Sequence, residues 1–208
     1  MLIGLRERPE LGWCFDRLKE TTSDQCVCRV FVAQVRVVSS ASDDAAKGLE
    51  GARRTGEGQL LGFAMVGRAA AFFDEGRTAE ALALAREALG LDQLILNDFM
   101  VVEAAWLMRD LGLAEAYVAW LPRKSDLPWA SAAELICSGQ FLEAAEALEE
   151  IRYRPGEANA RLRAARQLVE EGRRAEADVQ LQRALAFWRE VGATRYLREG
   201  EALLAASA

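Results

Sequence analysis

Apolar positions along this 208-residue chain recur with a helical period, and short glycine-containing breaks interrupt the pattern at intervals. Leu61, Ala64, Met65, Ala69, Phe72 and Phe73 form one apolar face, Gly76-Arg77-Thr78 breaks it, and Ala81, Leu82, Ala85, Ala88 and Leu89 form the next. Two such helices across a tight turn make an αα-hairpin. The arrangement recurs downstream: Ala104 to Leu111 is followed by Gly112 and then by Ala116, Val118 and Trp120, with another turn at Gly139. A turn at Gly172 joins a helix around Ala158 to Glu170 with one from Ala175 to Val191. Gly192 stands just past that helix, Thr194 caps a last one, and Tyr196, Leu197, Gly200, Leu203 and Leu204 give it one apolar stripe. Pro122 and Pro128 bracket a long loop, which carries Trp129 directly after Leu127-Pro128. Toward the N-terminus, Thr22-Ser23-Asp24-Gln25 has the form of a capping box, followed by Val27, Val30, Phe31, Val35 and Val38 at helical spacing. The β-branched content of 27–38 would also suit a strand, but Gln34 and Arg36 fit one polar helix face better. Ser39 to Asp43 reads as a turn and N-cap for a helix through Ala45, Leu49 and Ala52, which Gly56-Glu57-Gly58 ends.

The helices also repeat at a fixed distance. Taking the small residue early in each second helix as anchor gives Ala45, Ala81, Ala116, Ala144 and Ala177, separated by 36, 35, 28 and 33 residues. A small residue lies twelve positions before each anchor (Ala33, Ala69, Ala104, Ala132, Ala165), and Phe72, Leu135 and Leu168 lie nine before theirs. The turns Gly76-Arg77-Thr78-Ala79-Glu80-Ala81, Gly139-Gln140-Phe141-Leu142-Glu143-Ala144 and Gly172-Arg173-Arg174-Ala175-Glu176-Ala177 share their glycine, glutamate and alanine, and Ala52, Ala88 and Ala184 follow seven after an anchor. This pattern resembles the tetratricopeptide repeat, a helix-turn-helix unit of 34 residues. The resemblance spans roughly residues 26–190. The unit anchored at Ala116 departs from it, with a turn one residue short and Arg123 seven positions on, and the family's closing proline is missing from every unit. It implies an all-α, right-handed superhelical solenoid: an N-terminal cap over 1–24, about five irregular αα-hairpins over 25–191 and a capping helix over 192–208. A second likeness lies in Ala160-Arg161-Leu162-Arg163-Ala164-Ala165, the Gly172 turn and Leu185 to Leu197, which are similar to the C-terminal end of large bacterial signalling ATPases. It implies the detached repeat tail of such a protein, because no GxxxxGK[ST] phosphate cradle occurs here.

Composition supports the helical reading and narrows the chemistry. There are 38 alanines, and Leu, Glu and Arg are abundant, all strong helix formers. Histidine is absent, which removes the commonest general base, the commonest zinc ligand and every Ser-His or Cys-His pair. Cys26 and Cys28 would sit about 200° apart on a helix, and with Cys14 and Cys137 they read as buried thiols of a reducing cytoplasm. No apolar run approaches a membrane span. Residues 1–151 carry 15 basic and 24 acidic side chains and residues 152–208 carry 11 and 8, so a mildly basic end (net +3) follows an acidic body (net −9). The arginines 161, 163, 166, 173 and 174 alternate with alanine and glutamate, and the sequence pI is near 5.0, which argues against a nucleic-acid stripe. The acidic pairs Asp43-Asp44, Asp74-Glu75, Glu149-Glu150 and Glu170-Glu171 read as solvated helix ends, and the Gly56, Gly58, Gly62 run reads as a loop.

These readings describe a non-catalytic scaffold, with no catalytic residue, metal or cofactor expected. Its partner would be another protein or peptide segment. In the repeat register Gln34, Asp74, Arg109, Trp129, Asn159 and Arg166 fall on the concave face, and Arg163 beside Arg166 would meet an acidic or mixed-charge helix. The rival readings are a component of a DNA-binding regulator, which would show steep salt-dependent affinity, and an enzyme, which would need convergent titratable groups in a pocket.

Overall fold

The computed structural model describes residues 41–56, 58–91, 96, 98–121 and 127–205. Among them are ten helices and no strand, so the fold is all-α. In chain order they are α1 (Ala41–Thr55), α2 (Gly58–Asp74), α3 (Thr78–Leu89), α4 (Asp98–Asp110), α5 (Ala114–Trp120), α6 (Pro128–Ser138), α7 (Phe141–Glu150), α8 (Arg154–Glu170), α9 (Arg174–Glu190) and α10 (Thr194–Ala205). The cap over 1–24, the segment 27–38 with Gln34, and Cys14, Cys26 and Cys28 lie outside the described residues.

Several boundaries differ from the sequence reading. Ser42 and Asp43 lie inside α1, and Gly58 and Gly62 lie inside α2, so the glycine run is helical apart from its first member. Burial of Leu60, Ala64 and Met65 on α2 outweighs the cost of about 1 kcal/mol that each helical glycine carries. Pro128 opens α6 instead of closing a loop, and Pro155 lies in the first turn of α8, where a missing N–H costs nothing. Trp129 is therefore a helix residue.

One turn chemistry closes six of these helices. The N–H of Gly172 bonds to the Val169 carbonyl at 3.0 Å and that of Arg173 to the Leu168 carbonyl at 2.8 Å, with Gly172 left-handed at φ +77°. That pair of bonds satisfies carbonyls the helix end would otherwise orphan. Gly76, Gly112, Gly139 and Gly192 repeat it. Arg152 repeats it between α7 and α8 at φ +60° without glycine's freedom.

Five positions after the turn glycine, Ala81, Tyr117, Ala144 and Ala177 are all at most 1% exposed. The turn at Gly112 thus has full length, and Ala116, the anchor expected from sequence, is exposed. Shifting to Tyr117 places Ala105 twelve positions back and Met108 nine back, both fully buried. The sequence reading failed here because it demanded an alanine where the fold accommodates a tyrosine, whose hydroxyl donates to the Val101 carbonyl at 2.7 Å.

The chain divides near residue 96 into two compact units. In the first, α2 packs against both α1 and α3 around Ala45, Ala52, Ala64, Met65, Ala81 and Ala85. In the second, α4 packs on α5 and α6, and each helix from α6 to α9 packs on its successor. Ala158, Leu162, Leu168, Leu181, Leu185 and Trp188 form the α8–α9 core, to which α10 adds Tyr196, Leu197 and Leu203. Leu204 is 37% exposed and leaves the expected stripe.

Candidate functional site

On α4 the residues Phe99, Glu103, Trp106 and Asp110 are spaced 4, 3 and 4 apart and share one face. On α8, Asn159, Arg163 and Arg166 share a face by the same rule. The two stripes meet through side chains. Arg163 makes two parallel hydrogen bonds to Asp110, Nη1 to Oδ1 at 2.7 Å and Nη2 to Oδ2 at 2.6 Å, and its guanidinium lies 4.9 Å from the Trp106 ring centroid. Burial lowers the pKa of this guanidinium, but the hydrogen bonds and charge of Asp110 outweigh it and the net shift is upward. Arg166 pairs with Glu199 on α10. Both cations assigned to an incoming acidic helix are thus already matched by carboxylates of the chain itself. Asn159 is half-buried on the same stripe.

Arg109 turns away from this stripe and holds backbone. Its Nη1 donates to the Cys137 carbonyl at 2.6 Å, in the last turn of α6, and its guanidinium stands 5.0 Å from the Phe141 ring centroid. A cation at a helix C-terminus meets carbonyls that have no intrahelical partner. Gly139 is left-handed at φ +80°, and a Cβ there would come within 2.9 Å of Arg109 Nη2 and push the guanidinium aside. Burial pushes the nearby Cys137 thiol up to about 11.

At the N-terminal end of the α4 stripe, Tyr153 lies near two other rings and reaches one carboxylate with its hydroxyl. The Tyr153 hydroxyl donates to Glu103 Oε1 at 2.8 Å, and the Tyr153 ring lies 6.2 Å from Phe99 and 5.3 Å from Trp129. Gly156 permits this approach, since a Cβ there would meet Tyr153 Cδ1 at 2.6 Å. Burial raises the pKa of the Glu103 carboxyl, and the Tyr153 hydrogen bond opposes the rise without cancelling it. Burial raises the Tyr153 phenol, with the Glu103 charge adding to it.

Arg161, read from the sequence as one of several arginines alternating with alanine and glutamate, is 3% exposed. Its Nε donates to Glu157 at 2.6 Å, Nη1 to Gln180 at 2.6 Å and Nη2 to Glu149 at 2.7 Å, while Arg183 shares both carboxylates. Glu149 is exposed at the end of α7, as expected, and through these pairs also links α7 to α8 and α9. The (i, i+4) spacing of Glu157 and Arg161 among alanines was the available signal. An open cleft of about 210 Å³ lies between the start of α7 and the C-terminal half of α8, lined by Phe141, Leu142, Ala164, Gln167 and Leu168.

In the first unit, Asp74 is exposed at the end of α2, and the guanidinium groups of Arg68 and Arg77 lie 4.0 and 4.1 Å from the Phe72 ring centroid. Of the seven residues expected to bind a partner, the structure groups Asn159, Arg163 and Arg166 on one stripe and Trp129 beside Tyr153. Arg109 faces backbone, Asp74 belongs to the first unit and Gln34 is outside the described residues. Sequence reasoning missed Glu103, Asp110, Tyr153 and Glu199.

No family model, curated protein or solved structure matches this chain. Among the described residues, no group of three or more His, Cys, Asp or Glu side chains could hold a metal ion, and no helix is long and apolar enough to cross a membrane.

Proposed function

We propose that this chain is a non-catalytic cytoplasmic scaffold of tetratricopeptide-like αα-hairpins that holds a segment of another protein. The observation that carries the reading is the constant offset of five residues from a left-handed turn glycine to a fully buried side chain, at Gly76/Ala81, Gly112/Tyr117, Gly139/Ala144 and Gly172/Ala177. Units stacked on such a rule bury their faces against their neighbours and leave the remaining helix faces for recognition. In the second unit those faces carry aromatic rings and arginine–carboxylate pairs, which give a partner both contact area and orientation. The likeness to the tails of bacterial signalling ATPases supports a regulatory setting for this recognition.

The test exchanges the charges of one pair. Asp110→Arg combined with Arg163→Asp retains opposite charges across α4 and α8 but inverts the pattern a partner meets. Quantitative co-purification should recover the same proteins with wild type and lose them with the exchanged chain, while circular dichroism shows both folded. Equal recovery by both chains refutes recognition through this face.

A further inference from the structure

We propose that Glu103, with the rings of Phe99, Trp129 and Tyr153, binds the ammonium group of a lysine side chain carried by a peptide segment. This rests on the scaffold reading above and names the chemistry one end of its face recognises. Four side chains from α4, α6 and the turn before α8 converge there, with Tyr153 at 5.3 Å from Trp129, 6.2 Å from Phe99 and 2.8 Å from Glu103 Oε1. Each residue is partly exposed, although the Glu103 carboxyl itself is largely withdrawn from water.

The charge pattern identifies the occupant. Asp110 holds Arg163, Glu199 holds Arg166, and Glu149 and Glu157 share Arg161 and Arg183. Glu103 has Tyr153 as its hydrogen-bond partner and pairs with no cation among the described residues. A carboxylate withdrawn from water beside a cluster of aromatic rings attracts a cation through its charge, and the ring quadrupoles add to that attraction. Because Tyr153 occupies one carboxylate oxygen, the two-pronged geometry that suits arginine is spent, and a compact ammonium needing a single acceptor fits better.

The probe is the blocked pentapeptide acetyl-Ala-Ala-Lys-Ala-Ala-amide, titrated into the full ¹⁵N-labelled chain and followed by NMR. Shifts are expected at the Trp129 indole N–H and at the amides around Glu103 and Tyr153. Replacing the lysine by isosteric norleucine should weaken binding by about tenfold or more, as should Glu103→Gln, whose side-chain carbonyl still accepts from Tyr153. Trp129→Leu removes one ring by a second route and decides the matter if Glu103→Gln does not fold. Equal affinity for the norleucine peptide, or undiminished affinity in a folded variant, overturns the proposal. n-Butylammonium binding as tightly as the peptide overturns its assignment to a peptide. Partner recovery that depends on the Asp110/Arg163 exchange, with no lysine-peptide binding, refutes this site and leaves the scaffold reading standing.

Discussion

Single side chains carry the sharpest energetic consequences in the second unit. Arg161 is a nearly fully buried cation whose donors end on Glu149, Glu157 and Gln180. Replacing it with methionine keeps much of its packing but leaves two carboxylates facing each other across α7 and α8. Arg183 and solvent still reach them, so the expected loss is about 2 to 3 kcal/mol, read as a lower urea midpoint. Glu103 gives an opposite pH signature to the usual paired carboxylate. Its folded pKa is raised by burial, so the native state binds this proton more tightly than the unfolded chain does. That contribution is fully present below the unfolded pKa and declines as pH rises through the folded one. Glu103→Gln should remove the decline, so the gap in melting temperature between variant and wild type should move in the variant's favour as pH rises from acid to neutral. A gap constant across that range would contradict the raised pKa.

At the scale of the helix and its turn, backbone conformation decides. Arg152 sits left-handed where five other turns use glycine, a conformation that costs a residue with a Cβ about 1 to 2 kcal/mol. Arg152→Gly should therefore raise stability by about 1 kcal/mol. Gly172→Ala should lower it by about 1 to 2 kcal/mol through strain alone, since a Cβ there meets nothing within 4 Å. The corrected register gives a second contrast. Ala144→Arg and Ala177→Arg place a charge at fully buried positions and should lower the melting temperature steeply, while Ala116→Arg, on the exposed side of α5, should be nearly silent. Comparable losses at all three would remove the five-residue rule.

Across the whole molecule, the basic C-terminal quarter is less available than its net charge suggests. Arg154 pairs with Glu190, Arg163 with Asp110, Arg166 with Glu199, and Arg173 with Glu171 and Glu176. Pairing of this kind quenches the local field that would draw a polyanion. Affinity for duplex DNA is accordingly expected to stay at the weak, non-specific level, measurable by fluorescence anisotropy across a salt series. Tight binding with a steep salt slope would restore the nucleic-acid reading.

The amino-acid sequence by itself determined what local chemistry controls. Alanine-rich amphipathic stretches form helices because propensity and the 3.6 period act within a few residues, and glycine marks the turns because a left-handed C′ residue is a local requirement. Hence α2, α3, α8 and α9, with their turns at Gly76 and Gly172, were legible together with Ala81 and Ala177. What only the tertiary structure decided involves partners far apart in the chain. Asp110 meets Arg163 over 53 positions and Glu103 meets Tyr153 over 50, pairings that no helical period encodes. The same holds for Tyr117, whose burial follows from the space left between neighbouring helices, and for Arg161, which the packing of α7, α8 and α9 withdraws from water. A helix's period specifies which face is apolar. Which polar group on the remaining face is neutralised, and which is left able to take a ligand, depends on what the neighbouring helices place opposite it.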